Sequence, residues 1–283
     1  MTKILKGKPV ADLLIENLQK RVCALKEKGV APTIAVVRFG ARPDDLAYER
    51  GIRKTAESAG IDVKIYERPE DSQQSDAEHL IETLNDDRKI HGVLIFKPLP
   101  KHIDENGLAR ILSPEKDIDG ITDAAAASLY FGDGRYNLPC TARACMEILK
   151  YYGTDISGKN AVVVGRSPVI GKPVSLLLIK ENATVTVCHS KTENLAEICR
   201  RADILIACIG KAGMIDKSFM NEKQTVIDVG INFDESGKMA GDVKFDDVAA
   251  FAGAVTPVPG GVGSVTTAVL MDNLVNSAAR SIK

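Results

Sequence analysis

The chain has 283 residues, 45% hydrophobic and 27% charged, with a formal net charge of −1. That length favours two domains of roughly 100–200 residues, and near-neutrality excludes a global field that would gather nucleic acid or an anionic membrane. The longest apolar stretches, such as Ala202–Gly210, fall far short of the roughly 20 residues of a bilayer span, and MTKILKGKPV at the start has neither the apolar core nor the cleavage site of a secretory signal.

Residues 9–28 place Val10, Leu13, Leu14, Leu18, Val22 and Leu25 at helical spacing, and Gly29 closes the pattern. A buried strand follows in 33-TIAVVRF, then a helix from Asp44 to Ala59 stopped by Gly60. A strand at 62-DVKIYE, a helix over 75–85 and a strand at 92-GVLIF complete the first series. Strand alternating with helix predicts a parallel sheet covered on both faces. Residues 97–140 read as irregular, with turn-rich KPLPKHIDENG, SPEKDIDGITD and YFGDGRYNLP; such stretches sit at domain boundaries and binding clefts. A helix at 141–152 opens a second series with strands 160-NAVVVG, 184-TVTVCH, 203-DILIAC and 225-TVIDVG. An amphipathic helix, 264-SVTTAVLMDNLVNSAAR, ends the chain. The expected fold class is α/β, with two lobes and a cleft between them.

Six cysteines are scattered without CxxC pairing, and the four histidines show no HxxxH spacing. The expectation is no metal site, no disulfide scaffold, and reduced thiols in the cytoplasm.

The strand 160-NAVVVG runs directly into 165-GRSPVIGKP and a helix start. A strand, a glycine turn and a helix N-terminus suit pyrophosphate, because unpaired backbone N–H groups and the helix dipole point at the anion. The spacing G-x-S-x-x-x-G differs from the common G-x-G-x-x-G, so the strand–turn–helix context carries the reading. Gly165, Arg166, Ser167 and Gly171 form this turn. The next strand ends in Cys188, His189, Ser190, Lys191 and Thr192, without the acid that accepts from an NAD ribose. Arg166, Ser190 and Lys191 suit a 2′-phosphate, so NADP is favoured over NAD.

These motifs converge. Through 114-PEKDIDG, 139-PCT, 157-SGKNAVVVGRSPVIGKP, 228-DVGIN, 241-GDV and 256-TPVPGGVGSVTTAVLMDN, the chain resembles the methylenetetrahydrofolate dehydrogenase/cyclohydrolase family over nearly its whole length. The resemblance implies a folate-facing lobe over 1–138 with the helix 264–283 packed back onto it, a Rossmann NAD(P)-binding domain over 139–263, and a homodimer. It implies oxidation of methylene- to methenyl-tetrahydrofolate by hydride transfer to NADP, followed in most members by hydrolysis to formyl-tetrahydrofolate. Tyr48 matches the tyrosine stacked on the aminobenzoyl ring, and Asp119 the carboxylate that holds the pterin edge, where two oxygens can serve an amino group and a ring N–H. Ile95, Phe96, Lys97 and the loop Pro259, Gly260, Gly261, Val262 and Gly263 match the folate pocket; Ile231 matches a dinucleotide contact.

Two departures bear on mechanism. Counting forward from Tyr48 and back from Gly60, the position of the family lysine is 52, and the residue there is Ile52. Arg53 and Lys54 are rotated from it by about 100° and 200° on a helix. Where the family reads GVLVQLPLP, this chain reads GVLIFKPLP, so Phe96 replaces the glutamine that bonds that lysine and Lys97 replaces a leucine. Ala142 replaces a proline, a structurally mild change. Hydride loss needs mainly alignment, whereas hydrolysis needs a tuned acid/base. The expectation is a dehydrogenase with cyclohydrolase activity weak or absent, its product passing to a separate cyclohydrolase. The alternatives are a bifunctional enzyme rescued by Lys97 or Arg53, and a non-catalytic folate- or nucleotide-binding regulator.

Overall fold

The computed structural model describes residues 2–233 and 237–282. In chain order the elements begin with β1 (Lys3–Ile4), α1 (Gly7–Glu27), β2 (Thr33–Phe39), α2 (Pro43–Ala59), β3 (Asp62–Arg68), α3 (Gln74–Asp86), β4 (Gly92–Ile95), α4 (Glu105–Ile111) and α5 (Asp123–Phe131). They continue as α6 (Cys140–Tyr151), β5 (Asn160–Val164), α7 (Gly171–Lys180), β6 (Thr184–Cys188), α8 (Leu195–Arg200), β7 (Ile204–Ala207) and β8 (Thr225–Asp228). The chain closes with β9 (Asn232–Phe233), β10 (Met239–Ala240), α9 (Phe245–Ala249), β11 (Ala254–Val255) and α10 (Gly263–Arg280). The α/β class expected from alternation is what the chain adopts, as two compact units.

One unit comprises Leu13–Cys140 and Thr267–Lys283. Its sheet has the order β3-β2-β4, all parallel, with Val37 opposite Ile95 in the β2–β4 register. Every residue of β2 is buried, as a central parallel strand covered on both faces requires. On one side Ala35, Val37, Val93 and Ile95 pack with Leu80, Ile81, Leu84, Leu108 and Leu112 of α3, α4 and the residue after it. The C-terminal part of α10 is tied into this unit: Asn273 Nδ2 donates to the carbonyls of Ile118 at 2.9 Å and Leu138 at 3.0 Å, and Arg21 pairs with Asp272.

The other unit comprises Met1–Asp12 and Thr141–Thr266. Its six strands lie in the order β1-β11-β8-β7-β5-β6 and all pair in parallel. The core of one face joins Val162, Val164, Leu205, Ala207 and Val226 to Val248 and Cys199.

Two expectations need correction. Residues 1–12 do not group with the residues that follow them: β1 pairs with β11, Lys3 opposite Ala254, and so extends the six-stranded sheet. A two-residue strand carries too little periodicity to be read locally. The span 97–140 is also less irregular than its composition suggests, since it contains α4 and α5. Both are short and held by their caps: the Asp104 carboxylate accepts from Asn106 N at 3.0 Å, and the Thr122 hydroxyl accepts from Ala125 N at 3.2 Å.

Candidate active site

In the unit built on β2, β3 and β4, α2 carries the informative residues. Pro43 opens the helix and Gly60 closes it at φ 74°, a left-handed conformation natural to glycine. Its buried face is Asp45, Glu49, Ile52, Ala56 and Ala59, at the three- and four-residue spacing of one helical stripe. Ile52 is 0% exposed, whereas Arg50, Arg53 and Lys54 are exposed. Glu49 on the same stripe is buried and clamped, with Arg38 Nε at 2.9 Å and Arg53 Nε at 2.9 Å. Burial would raise its pKa, but the two guanidinium partners outweigh it and hold the carboxyl below its ordinary value.

Tyr48 remains 43% exposed, and its ring lies against Phe96, the centroids 5.2 Å apart and the planes tilted by 34°. Phe96 follows the end of β4, donates its backbone N–H to Val37 O at 2.9 Å, and is itself 4% exposed. Side chains alternate along a strand, so the preceding Ile95 turns into the α3/α4 core and is not brought beside Tyr48. The Lys97 ammonium is paired with Glu105 at 2.6 Å.

Asp119 sits in a loop organised by Asp117, which is 0% exposed. The Asp117 carboxylate accepts from the backbone N–H of Asp119 (3.2 Å), Gly120 (2.8 Å) and Thr122 (2.8 Å). A Cβ on Gly120 (φ 73°) would collide with the backbone of Pro139, which makes glycine the fitting residue there. Burial and the neighbouring Asp117 charge push the Asp119 carboxyl up to about 6, against a hydrogen bond with Cys140 and the Lys97 charge. Burial and the Asp119 charge likewise raise the pKa of Tyr48. Tyr48, Lys97 and Asp119 thus form one electrostatically connected group, with Phe96 packed on Tyr48. Asp117, Cys140 and Asn273 support it and escaped the sequence reading, although the Asp-x-Asp-Gly string is an Asx-turn signal. Asn273 Nδ2 reaches Cys140 Sγ at 3.4 Å.

In the other unit the glycine turn joins β5 to α7. Gly165 has φ 140°, and any Cβ there would collide with Cys208. A Cβ on Gly171 would strike the Gly165 backbone, so the turn passes close to the start of the helix. The Ser167 hydroxyl accepts from Ile170 N at 3.1 Å and Gly171 N at 3.4 Å, closing the turn that leads into α7. Arg166 is exposed at this helix start. After β6, His189–Thr192 form a tight turn in which the Thr192 hydroxyl accepts from His189 N at 2.9 Å, leaving Ser190 and Lys191 exposed. A narrow glycine cradle, a helix N-terminus and exposed cationic and hydroxyl groups fit a phosphorylated dinucleotide.

Pro259, Gly260, Gly261, Val262 and Gly263 line a cavity of about 240 Å³ together with Ile231, which is 63% exposed. Gly7 holds this loop from behind by donating its N–H to Gly260 O at 2.8 Å. A Cβ on Gly7 would collide with the Gly261 carbonyl, another relationship hidden from sequence reading. Below the cavity, Asp228 accepts from Gly230 N, Asp242 N and Val243 N. Asp242 in turn accepts from the backbone of Ile209, Gly210 and Lys211. Burial pushes Asp228 up to about 7; those N–H bonds oppose the shift, and the adjacent Asp242 charge adds to it. Among the described residues no group of three or more His, Cys, Asp and Glu is arranged to hold a metal ion, and no helix is long and apolar enough to cross a membrane.

Residues 5–119 match the tetrahydrofolate dehydrogenase/cyclohydrolase catalytic domain, and 139–282 match the NAD(P)-binding domain of the same family. The chain is 50% identical over 279 residues to the bifunctional protein FolD of Carboxydothermus hydrogenoformans, covering 98% of this chain and 97% of that one. The crystal structure of the bifunctional FolD enzyme from Campylobacter jejuni superposes with a TM-score of 0.96 at 37% identity, covering 99% of each chain. FolD from Trypanosoma brucei, solved with NADP and an inhibitor, gives 0.93 at 35% identity over 100% of this chain and 99% of that one. On both domains and over its whole length, the chain belongs to the tetrahydrofolate dehydrogenase/cyclohydrolase family.

Proposed function

We infer that this protein is an NADP-dependent methylenetetrahydrofolate dehydrogenase whose methenyl-tetrahydrofolate cyclohydrolase activity is weak or absent. The observation that carries the second half is the pair Ile52 and Phe96. One is fully buried and the other packs on Tyr48, so apolar atoms occupy the positions where the family resemblance calls for a lysine and its glutamine.

Tyr48 offers a flat face, partly exposed, on which an aromatic ring of the folate can stack. The Asp119 carboxylate accepts hydrogen bonds from the pterin edge and fixes its orientation. The adjacent nitrogen lone pair drives hydride loss from the methylene carbon and leaves a stabilised cation, so no acid or base is required of the protein. When bound, NADP supplies the hydride acceptor. Gly165, Ser167 and the start of α7 would hold its pyrophosphate, and Arg166 with Ser190 and Lys191 would take the 2′-phosphate.

Hydrolysis demands water activation and proton movement at the one-carbon centre. The two nearby cations that could substitute are engaged elsewhere: Lys97 with Glu105, and Arg53 with Glu49. The methenyl product then passes to a separate cyclohydrolase. The test is a paired assay on purified protein. NADP reduction with methylene-tetrahydrofolate is expected, together with methenyl hydrolysis near the uncatalysed rate. Hydrolysis far above that rate would establish the bifunctional alternative, and failure to reduce NADP would leave a non-catalytic binding protein.

A homodimer accompanies this reading. Strand β6 is a sheet edge, and Val187 on it and Ile179 on α7 are 41% and 54% exposed, a profile that suits pairing with a second copy. Light scattering that returns a monomer mass would refute the dimer.

A further inference from the structure

The three-stranded sheet has a second feature at its other end. Where β2, β3 and β4 begin, a pocket of about 750 Å³ is lined by Thr33, Asp62, His91 and the final turn of α10. Phe96 and the residues around it lie beyond the opposite ends of these parallel strands. Five cationic side chains line the pocket: Lys64, Arg88, Lys89, Lys116 and Arg280. Asp62 and Glu115 are the acidic residues of the lining, so cations outnumber acids. Val30 and Ile90 add apolar surface.

Two details make this a built site. Lys116 donates to the carbonyls of Leu84, Asn85 and Asp87 at 2.7, 2.7 and 2.8 Å. Its ammonium is thereby fully used and pins the turn that presents Arg88 and Lys89. Arg280 is held by its Nη2, which donates to Asn137 Oδ1 at 3.0 Å and Ser277 Oγ at 3.1 Å. Its Nε is buried and has no hydrogen-bond partner among the described residues. Burial lowers the Arg280 pKa, and an anion beside the guanidinium would raise it again. His91 adds no charge: its Nδ1 accepts from Thr33 N at 3.2 Å, and burial lowers its pKa.

We propose that this pocket is a second ligand site, separate from the folate and nucleotide residues, which binds a small phosphorylated organic molecule. Guanidinium and ammonium groups recognise the phosphoryl oxygens, and Val30 and Ile90 cover the organic body. The volume lies in the range of small-molecule sites, about 300–1,000 Å³.

The test uses ATP and pyrophosphate as probes, titrated calorimetrically into the whole chain with saturating NADP so that the glycine turn is filled. ATP is expected to bind under these conditions, more tightly than pyrophosphate. Its affinity should fall at least about tenfold in the double variant Arg88→Ala/Lys89→Ala and in Arg280→Met. Arg88 and Lys89 are exposed, so their removal leaves the fold intact even if Arg280→Met does not fold. Absence of ATP binding, or binding unchanged in Arg88→Ala/Lys89→Ala, would overturn the proposal; equal affinity for pyrophosphate would overturn the organic-ligand part.

Discussion

The ring of Phe96 lies 5.2 Å from that of Tyr48, at a 34° tilt. Phe96 is thus the packing partner of the proposed folate platform. An apolar ring therefore lies beside the tyrosine, where it can offer packing but no hydrogen bond.

The first prediction concerns restoration. Ile52→Lys alone buries an unpaired ammonium and should lower the melting temperature. Ile52→Lys with Phe96→Gln supplies the ammonium with a partner, and methenyl hydrolysis should rise at least about tenfold, within the range for general acid–base catalysis. A spectrophotometric hydrolysis assay across the wild type, both single variants and the double variant checks this. A double variant no faster than wild type would show that these two positions are not what limits hydrolysis.

Asp119 should give a pH signature. Its carboxyl is raised from 3.8 to about 6, so between those values the folded chain keeps a proton that the unfolded chain has lost. Its contribution to stability therefore falls as pH rises through that window. Asp119→Asn should gain melting temperature near pH 7 and none near pH 4, while losing folate affinity near pH 7 and little near pH 4, where the wild-type carboxyl is protonated as well. For the wild type, kcat/KM for the folate should decline as pH falls through about 6, because a protonated carboxyl accepts fewer hydrogen bonds.

Cofactor choice should rest on Arg166. Replacing it with alanine removes a charge-assisted contact worth about 1.5–3 kcal/mol, so KM for NADP should rise about tenfold or more while KM for NAD changes little. Steady-state kinetics with both cofactors measures the ratio. An equal loss for the two would place Arg166 on the shared pyrophosphate and not on the 2′-phosphate.

The Arg38–Glu49–Arg53 network should behave asymmetrically. Glu49→Ala removes the buried partner of Arg38, whose side chain is 7% exposed and keeps Glu67 at 2.8 Å, and should destabilise the fold by about 1.5–3 kcal/mol. Arg53→Ala removes a half-exposed arm and should cost no more than about 1 kcal/mol, with dehydrogenase activity unchanged. Denaturant melts and the hydride-transfer assay decide both. Methenyl hydrolysis present in the wild type and lost in Arg53→Ala would revive the reading in which this arginine rescues hydrolysis.

What the sequence determined by itself was set by near neighbours along the chain. Alternating strands and helices, the GRSPVIGKP turn and the helix around Tyr48 depend on spacings of two to seven residues, and the α/β class follows from them. The sequence also placed Ile52 by count, bracketed by Tyr48 and Gly60, and it is buried on the same stripe of α2 as Glu49 and Ala56. Pairings between distant residues were decided by packing. Phe96 turns to Tyr48 while Ile95 turns into the core, because strand alternation acts only once β4 is seated beside β2. Lys97 and Arg53 are drawn to Glu105 and Glu49, and β1 joins a sheet formed some 250 residues later. The basic pocket needed three strand ends and the last turn of α10 to meet. No local pattern encodes such a meeting, since each side chain in it reads alone as a solvated charge.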